Sequence, residues 1–346
     1  MDSRTPAQSD SATAALKGIC SLQDHFVHEL EILAKKQGHS ASFQKVSWLR
    51  EQGKHGGGVR YVAPEDSIFN RGSVNMSQVH YDDLPEKKLG SASALSTIIH
   101  PQSPHLPSVH MHISWTEMKG GRGYWRIMAD LNPAIERNED REDFEAALRQ
   151  FSGSHYGEGT EQGAQYFFIP ALNRHRGVSH FYLEGYHTDS FSDDLNFAMT
   201  FGKGMIDCYV AILDRALSRK EVIEDDHRKQ QRDYHTLYFY QVLTLDRGTT
   251  SGLLVHDQND VGILGSLPSH IDRHLFASWA SKTEAPQDEL VRSLLDALPS
   301  DSICSVDEPL KASLAKVIRK HYREHPQGID KQAKGKIVPP TVSNHS

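Results

Sequence analysis

The fold is decided by the stretch from residue 73 to residue 131, which contains SVNMSQVHY (73–81), ALSTIIH (94–100), SVHMHISW (108–115) and GYWRIMADL (123–131). Apolar residues alternate with small or polar residues in each segment, and this period of two predicts strands with one buried face. Clusters of Gly, Pro and Asp separate the segments and indicate turns. Because consecutive strands with short connections usually pair with each other, we predict an antiparallel meander.

The regions on either side of this stretch add further strands and helices. FQKVSWL (43–49) and GVRYVA (58–63) extend the predicted sheet. Residues 13–38 have the apolar spacing of a helix, with Ser11 or Thr13 as its N-cap. We further predict helices at residues 136–151, 189–219, 220–235, 270–279, 287–298 and 308–322, and strands at 166–172, 179–186, 237–245 and 252–256. A strand-rich half combined with helices before and after it indicates an α+β fold.

Composition and length are those of a globular protein. The chain has 346 residues, of which 38% are hydrophobic and 24% charged, enough to bury a sizeable core. No linker divides it, so we predict one domain over residues 13–325, with disordered polar tails at 1–12 and 326–346. Its three cysteines lie far apart in the sequence, which favours reduced thiols over disulfides.

The charge and the N-terminus restrict the partners and the compartment. A net charge of -7 argues against a general nucleic-acid binder, because such proteins have a basic surplus or stripe. No apolar run is long enough to span a bilayer, and the N-terminus has no apolar segment of the secretory type. We therefore expect a soluble cytoplasmic protein without integral membrane contact.

Four histidines, His100, His105, His110 and His112, lie close together in the decisive stretch. His110 and His112 project from the same face if their segment is a strand. A metal ion would need further ligands, and neither CxxC nor HExxH accompanies these histidines, so we predict no metal. Two readings stay open on residue type alone: general acid or base catalysis, and hydrogen-bonded structural histidines on a sheet.

Six motifs occur in a distinctive order: GGGVRYV (56–62), SVNMSQVHY, HPQSPHLPSVHMH (100–112), ADLNP (129–133), RHRG (174–177) and LDRGT (245–249). In this order they resemble the oxygen-dependent coproporphyrinogen III oxidase family, whose members decarboxylate a reduced tetrapyrrole. The resemblance implies a large, mostly antiparallel sheet flanked by α-helices on both faces, and a homodimer. It also implies that no cofactor is needed, with molecular oxygen as co-substrate and the tetrapyrrole itself as the reductant.

The resemblance also assigns roles to individual residues. It implies that His110 donates a proton, that Asp130 pairs with the pyrrole nitrogens and acts as base, and that Arg176 lies near the reacting substrate. It further implies substrate contacts at Ser96, His100, His112, Arg247 and Asn259, with a structural role equally open for Arg247.

The chain departs from the family pattern at two positions where arginines usually stand, now occupied by Ser114 and Asn259. Losing two arginines from a pocket for four carboxylates would cost several kcal/mol, at roughly 1.5–3 kcal/mol per charged hydrogen bond. Arg122 and Arg126 share one face if their segment is extended. We therefore predict Arg126 as a substrate contact and both arginines as replacement charge.

These observations leave three functions open. The first is oxygen-dependent oxidative decarboxylation of coproporphyrinogen III to protoporphyrinogen IX in haem biosynthesis. The second is a divergent family member that acts on another carboxylated pyrrole or aromatic substrate. The third is a non-catalytic relative that binds a tetrapyrrole.

Overall fold

A computed structural model describes residues 4–39, 42–64, 67–256 and 258–336. It confirms the predicted α+β fold. Seven strands form one antiparallel sheet in the order β1-β2-β3-β4-β5-β6-β9. Its strands are β1 Gln44–Leu49, β2 Gly56–Val62, β3 Phe69–His80, β4 Leu89–Pro101, β5 Ser108–Met118, β6 Tyr124–Asn132 and β9 Ser179–Tyr186. Two further two-stranded antiparallel sheets pair β7 Phe168–Ile169 with β8 Arg174–His175, and β10 His270–Asp272 with β11 Ile303–Ser305.

Helices follow and precede the sheet strands. They are α1 Asp10–Lys36, α2 Asn138–Ser152, α3 Tyr156–Tyr166, α4 Phe191–Ser218, α5 Asp225–Thr244, α6 Arg247–Val255, α7 Asp260–Ile263, α8 Arg273–Ala277, α9 Gln287–Ala297 and α10 Glu308–Glu324. Ser9, two residues before the predicted cap, accepts a hydrogen bond from Ala12 and begins α1. None of the helices in the described ranges combines the length and apolar composition that a bilayer-spanning helix needs.

The central strands have two chemically different faces. Val74, Leu95, Met111 and Ile127 point to one face and join the first apolar core, formed with α1 and α4. The intervening residues are small or polar and point to the opposite face. Cross-strand register aligns them in rows such as Asn75, Ser96 and His112, or Ser77, Ala94, Ser114 and Arg126. The period of two in the sequence therefore separates the core from a polar surface.

A second apolar core lies on the other side of the sheet and unites the C-terminal helices. It contains the aromatic half of α5 together with side chains of α9 and α10, and Ile98 of β4 belongs to it. Arg319 of α10 donates to the carbonyl oxygen of Leu253 at 2.7 Å and to the carboxylate of Asp260 at 2.8 Å. These bonds tie α10 to α6 and α7.

Two predicted strands are helices in the structure. LYFYQVLTL (237–245) lies largely in α5, and GLLVH (252–256) lies largely in α6. Residues 234–244 are all buried. A helix that is buried on every side shows no polar face, so its aromatic sequence resembled a buried strand. The predicted strand at 166–172 is reduced to the two residues of β7.

Parts of both predicted tails pack against the rest of the chain. Ala7 is buried and its amide donates to Gln78, so the ordered chain begins before residue 13. Pro326–Lys331 forms a 3-10 helix, and Gly328 and Gln332 are buried. Gln332 donates to the Tyr322 hydroxyl, so packing rather than apolar periodicity orders this segment. Residues 1–3 and 337–346 of the predicted tails lie outside the described residues.

Helix α3 lies directly against β9 because two glycines, Gly159 and Gly163, face the strand. A Cβ on Gly163 would lie 2.8 Å from the His180 carbonyl carbon, and one on Gly159 would lie 2.1 Å from the Phe181 ring. Such distances leave no room for a methyl group.

We expect Gly163→Ala to lower the free energy of unfolding by about 1–3 kcal/mol, because the helix must move off the strand backbone. Gly157→Ala on the same helix is the control, since a Cβ there would meet no atom within 4 Å. Chemical denaturation of both variants measures the difference. Equal stability of the two variants would contradict the close packing.

Candidate active site

A pocket lies on the polar face of the sheet, below α6 and α7. Its volume is about 290 Å³, close to the lower limit for small-molecule sites. Residues of β3, β4, β5 and β6 line it, and four adjacent strands span about 14 Å at the usual strand spacing. Ser96, His110, His112, Arg126, Arg176 and Asn259 are among the lining residues. Six of the nine predicted site residues therefore converge on one recess.

The innermost group of the pocket is a hydrogen-bonded cluster of His110, Asp130 and Arg176. Asp130 lies opposite His110 in the register of β5 and β6 and is fully buried. The Nδ1 of His110 lies 2.6 Å from one carboxylate oxygen of Asp130. Arg176 donates to the other oxygen at 2.6 Å, and so does the Asn132 amide at 2.6 Å. Both carboxylate oxygens therefore already have protein partners.

Arg176 is held in place from several sides although it lies in a loop after β8. Its second terminal nitrogen donates to Gln241 of α5 at 2.6 Å, and its guanidinium lies 4.5 Å from the Phe167 ring centroid. Gly177 follows with φ of +77°, and a Cβ there would lie 2.6 Å from the Leu131 carbonyl oxygen. The glycine of RHRG thus allows the loop to turn beside β6 with Arg176 directed at Asp130.

The charges of the cluster are fixed by one another. Burial alone would raise the pKa of Asp130, but Arg176, followed by His110 and Asn132, holds that pKa well below its usual range. Burial would lower the pKa of Arg176, and Asp130 reverses that effect. Asp130 is therefore a permanent carboxylate at neutral pH. Its 2.6 Å contact with Nδ1 of His110 also fixes the orientation of that imidazole.

Arg126 lines the pocket but is already paired. It forms a two-point ion pair with Glu184 of β9, at 2.6 and 3.1 Å, and the Glu184 side chain is fully buried. Glu184 keeps the pKa of Arg126 above its usual value against the effect of burial. Arg122 precedes β6, is 70% exposed and pairs with Asp189. Each of the two arginines therefore already has a carboxylate partner within the chain.

A family model described as coproporphyrinogen III oxidase matches residues 15–298 of the chain. The chain belongs to the coproporphyrinogen III oxidase family. This membership implies oxidoreductase and decarboxylase chemistry, supports a role in haem biosynthesis, and implies a tetrapyrrole substrate. The match ends before α10, so the last helix and the segment after it lie outside the matched region.

Ser96, His112 and Asn259, three of the predicted substrate contacts, line the pocket. Ser96 and His112 are directly opposite each other on β4 and β5. His112 Nε2 lies 3.0 Å from the Ser114 hydroxyl. Burial, with Arg126 next, holds the pKa of His112 well below its usual value, so this imidazole is neutral. These three residues offer neutral polar contacts rather than charge.

His100 and Arg247, two further predicted substrate contacts, are not among the residues that line this pocket. His100 is fully buried between the Ser108 hydroxyl at 3.0 Å and the Ser266 carbonyl oxygen at 3.1 Å. Its ring packs on Tyr238, so it joins the sheet to the segment after α7. Arg247 at the start of α6 is buried outside the pocket lining, although its neighbours Asp246 and Gly248 line the pocket. Both side chains are buried within the chain.

Several lining residues were not singled out from the sequence. Asn75 lies between Ser73 and Ser77 on β3, and the period-two run of small polar residues in SVNMSQVHY was the available signal. Tyr166 donates to Asp246 at 2.8 Å, and both line the pocket. This contact joins α3 to α6 and has no local sequence signal. In the described part of the chain, no three His, Cys, Asp or Glu side chains are placed to hold a metal ion.

Replacing Asp130 should show how much the buried charge of Arg176 destabilises the protein once its carboxylate partner is removed. We expect Asp130→Asn to lower the free energy of unfolding by about 3–5 kcal/mol at pH 7, because an unpaired guanidinium stays buried. The folded pKa of Asp130 lies below its unfolded value, so the stabilisation is complete above the unfolded pKa and decreases as pH falls below about 4.

Denaturation of wild type and variant between pH 3 and pH 7 measures this difference. The control is Asp189→Asn, which removes an exposed Asp–Arg pair and should leave stability unchanged. A difference between wild type and Asp130→Asn that stays constant over the whole pH range would contradict the predicted role of the buried pair.

Proposed function

We propose that this protein catalyses oxygen-dependent oxidative decarboxylation of coproporphyrinogen III to protoporphyrinogen IX. Family membership over residues 15–298 supports the reaction class. The observation that carries the proposal is the cluster of His110, Asp130 and Arg176 on a polar face that extends across four strands. A flat ring lying on this face would have His110 directly beside it.

His110 is the proposed proton-transfer group. Its Nδ1 donates to the permanent carboxylate of Asp130, so neutral His110 has its lone pair on Nε2. The side chain is 17% exposed and lines the pocket, whereas Asp130 is fully buried. Asp130 thus orients the imidazole and stabilises its protonated form. In this proposal Nε2 of His110 accepts the pyrrole proton as a general base.

The reaction balances with oxygen as the oxidant and with no added cofactor. Each propionic acid group that becomes a vinyl group loses carbon dioxide and two hydrogen atoms, and one oxygen molecule is reduced to hydrogen peroxide. Removal of the pyrrole proton makes the ring electron-rich, so the substrate itself supplies the electrons. In this proposal the protein supplies orientation, proton transfer and exclusion of water.

Turnover can be tested directly with the reduced substrate. Purified protein is mixed with coproporphyrinogen III without oxygen, oxygen is admitted, and carbon dioxide and the tricarboxylate intermediate are followed by chromatography. We expect His110→Asn to lower turnover by about 100-fold or more, because general acid–base catalysis contributes that much. Binding of the stable oxidised ring, coproporphyrin III, should change little in this variant.

His28→Asn is the matched control, since His28 is exposed on α1 on the opposite side of the sheet. It should retain full turnover. Turnover by His110→Asn at the wild-type rate would overturn the proposed proton transfer. Tight binding of coproporphyrin III without any turnover by wild type would favour the non-catalytic relative.

A second function is favoured by one specific observation. Both lining arginines, Arg126 and Arg176, are already neutralised by buried carboxylates. A substrate with fewer acid groups would need fewer free cations, as expected of a divergent member acting on another carboxylated pyrrole. Comparing the turnover of coproporphyrinogen III with that of its three-carboxylate and two-carboxylate analogues distinguishes the two proposed functions. Turnover of the analogues alone would support the second function.

We also propose, from the family resemblance, a homodimer in the cytoplasm. Sedimentation of the purified chain and fractionation of the source cells test these two points.

A further inference from the structure

A group of three cations lies beside the pocket, outside the cluster of His110, Asp130 and Arg176. Arg60 of β2 and Arg71 of β3 lie near Lys311 of α10, close enough for their charges to affect it. Arg71 donates to the carbonyl oxygens of Leu267 and Val306, both at 3.1 Å. Unlike Arg71, Arg60 and Lys311 donate no hydrogen bond to a backbone carbonyl oxygen of the described residues.

Lys311 is buried and Arg60 is half-buried, and neither side chain makes a hydrogen bond or ion pair among the described residues. Lys311 is 3% exposed, and its ammonium group makes no ion pair there. The Nε of Arg60 is buried and makes no hydrogen bond either. The exposed Glu308 attracts both cations from a distance, without an ion pair to either in the described part of the chain. Burying a charge in this way is costly unless a counter-charge is present.

Arg60 reaches the pocket lining. It lies opposite Asn75 in the register of β2 and β3, in the row that continues through Ser96 to His112. Its Nη1 is 2.7 Å from the position that a Cβ of Gly262 would take, and both Asn75 and Gly262 line the pocket. The cation group is therefore continuous with the side of the pocket formed by β3 and α7.

Lys311 shows the effect of this uncompensated charge. Burial, then Arg71 and Arg60, lower the pKa of Lys311 to about 7, against the attraction of Glu308 and Asp307. An anion placed between these cations would raise that pKa and restore the full ammonium charge. Lys311 lies on α10, beyond the matched residues 15–298, so the family match does not include it.

We propose that Arg60 and Lys311 form an anion subsite that binds one carboxylate arm of the substrate at the side of the pocket next to Gly262. This subsite rests on the proposed function, because it assigns the anion to the tetrapyrrole. It supplies charge where the lining arginines are neutralised by Glu184 and Asp130. The guanidinium of Arg60 can bind the carboxylate at two points, and Lys311 adds a third donor.

Binding of coproporphyrin III to the full chain, followed by quenching of porphyrin fluorescence, tests the subsite. We expect Arg60→Met and Lys311→Met each to weaken binding about 10-fold to 100-fold, as expected for loss of a charged hydrogen bond. Coproporphyrin III tetramethyl ester has the same ring without the charges, and its binding should not change. Lys316→Met, at an exposed position of the same helix, is the matched control and should bind both ligands like wild type.

Melting temperatures of all variants show whether they are folded. The same melting temperatures measured with added inorganic phosphate show whether the subsite binds a free anion rather than a carboxylate arm of the substrate. Wild-type affinity of both folded variants for the tetra-acid would overturn the subsite. Stabilisation of wild type by phosphate, lost in Lys311→Met without any change in porphyrin affinity, would overturn the assignment to the substrate. If wild type binds no coproporphyrin III, the proposed function itself fails, which is a different result from unchanged variants.

Discussion

The alternation of side chains along β3 to β6 is the constraint on which the rest of the structure depends. Val74, Leu95, Met111 and Ile127 must all face α1 and α4 to build the first core. The same register then directs Asn75, Ser96 and His112 to the opposite face in one row. A shift of one residue in any strand would exchange the two sets, so the core fixes the positions of the polar groups.

Charge in the pocket follows a consistent pattern of internal compensation. Asp130 holds Arg176, and Glu184 holds Arg126, so each lining guanidinium is fixed by a fully buried carboxylate. Such pairs contribute little net stability, since desolvation offsets most of the attraction, but they fix geometry. The pocket therefore orients a ligand through rigid neutral pairs. Arg60, Arg71 and Lys311 place positive charge on the side formed by β2, β3 and α10.

Local patterns were sufficient for the central strands of the sheet and for six of the residues that line the pocket. The period-two segments predicted β3 to β6, and the motif order placed His110, Asp130 and Arg176 near one another. The sequence was insufficient where contacts join distant segments. The partner of Arg126 is 58 residues away, and the environment of His100 depends on α5 and on the segment after α7. The aromatic half of α5 was misassigned because burial on all sides removes the polar face that identifies a helix.

The hydrogen bonds from Arg319 to Leu253 and Asp260 determine where the folded domain can be truncated at its C-terminal end. Helix α10 supplies Leu314 and Ile318 to the second core and holds the two helices above the pocket. A truncation at residue 298, where the family match ends, would leave that core open to water and α7 without its anchor. The region matched by the family model is thus shorter than the unit that folds cooperatively.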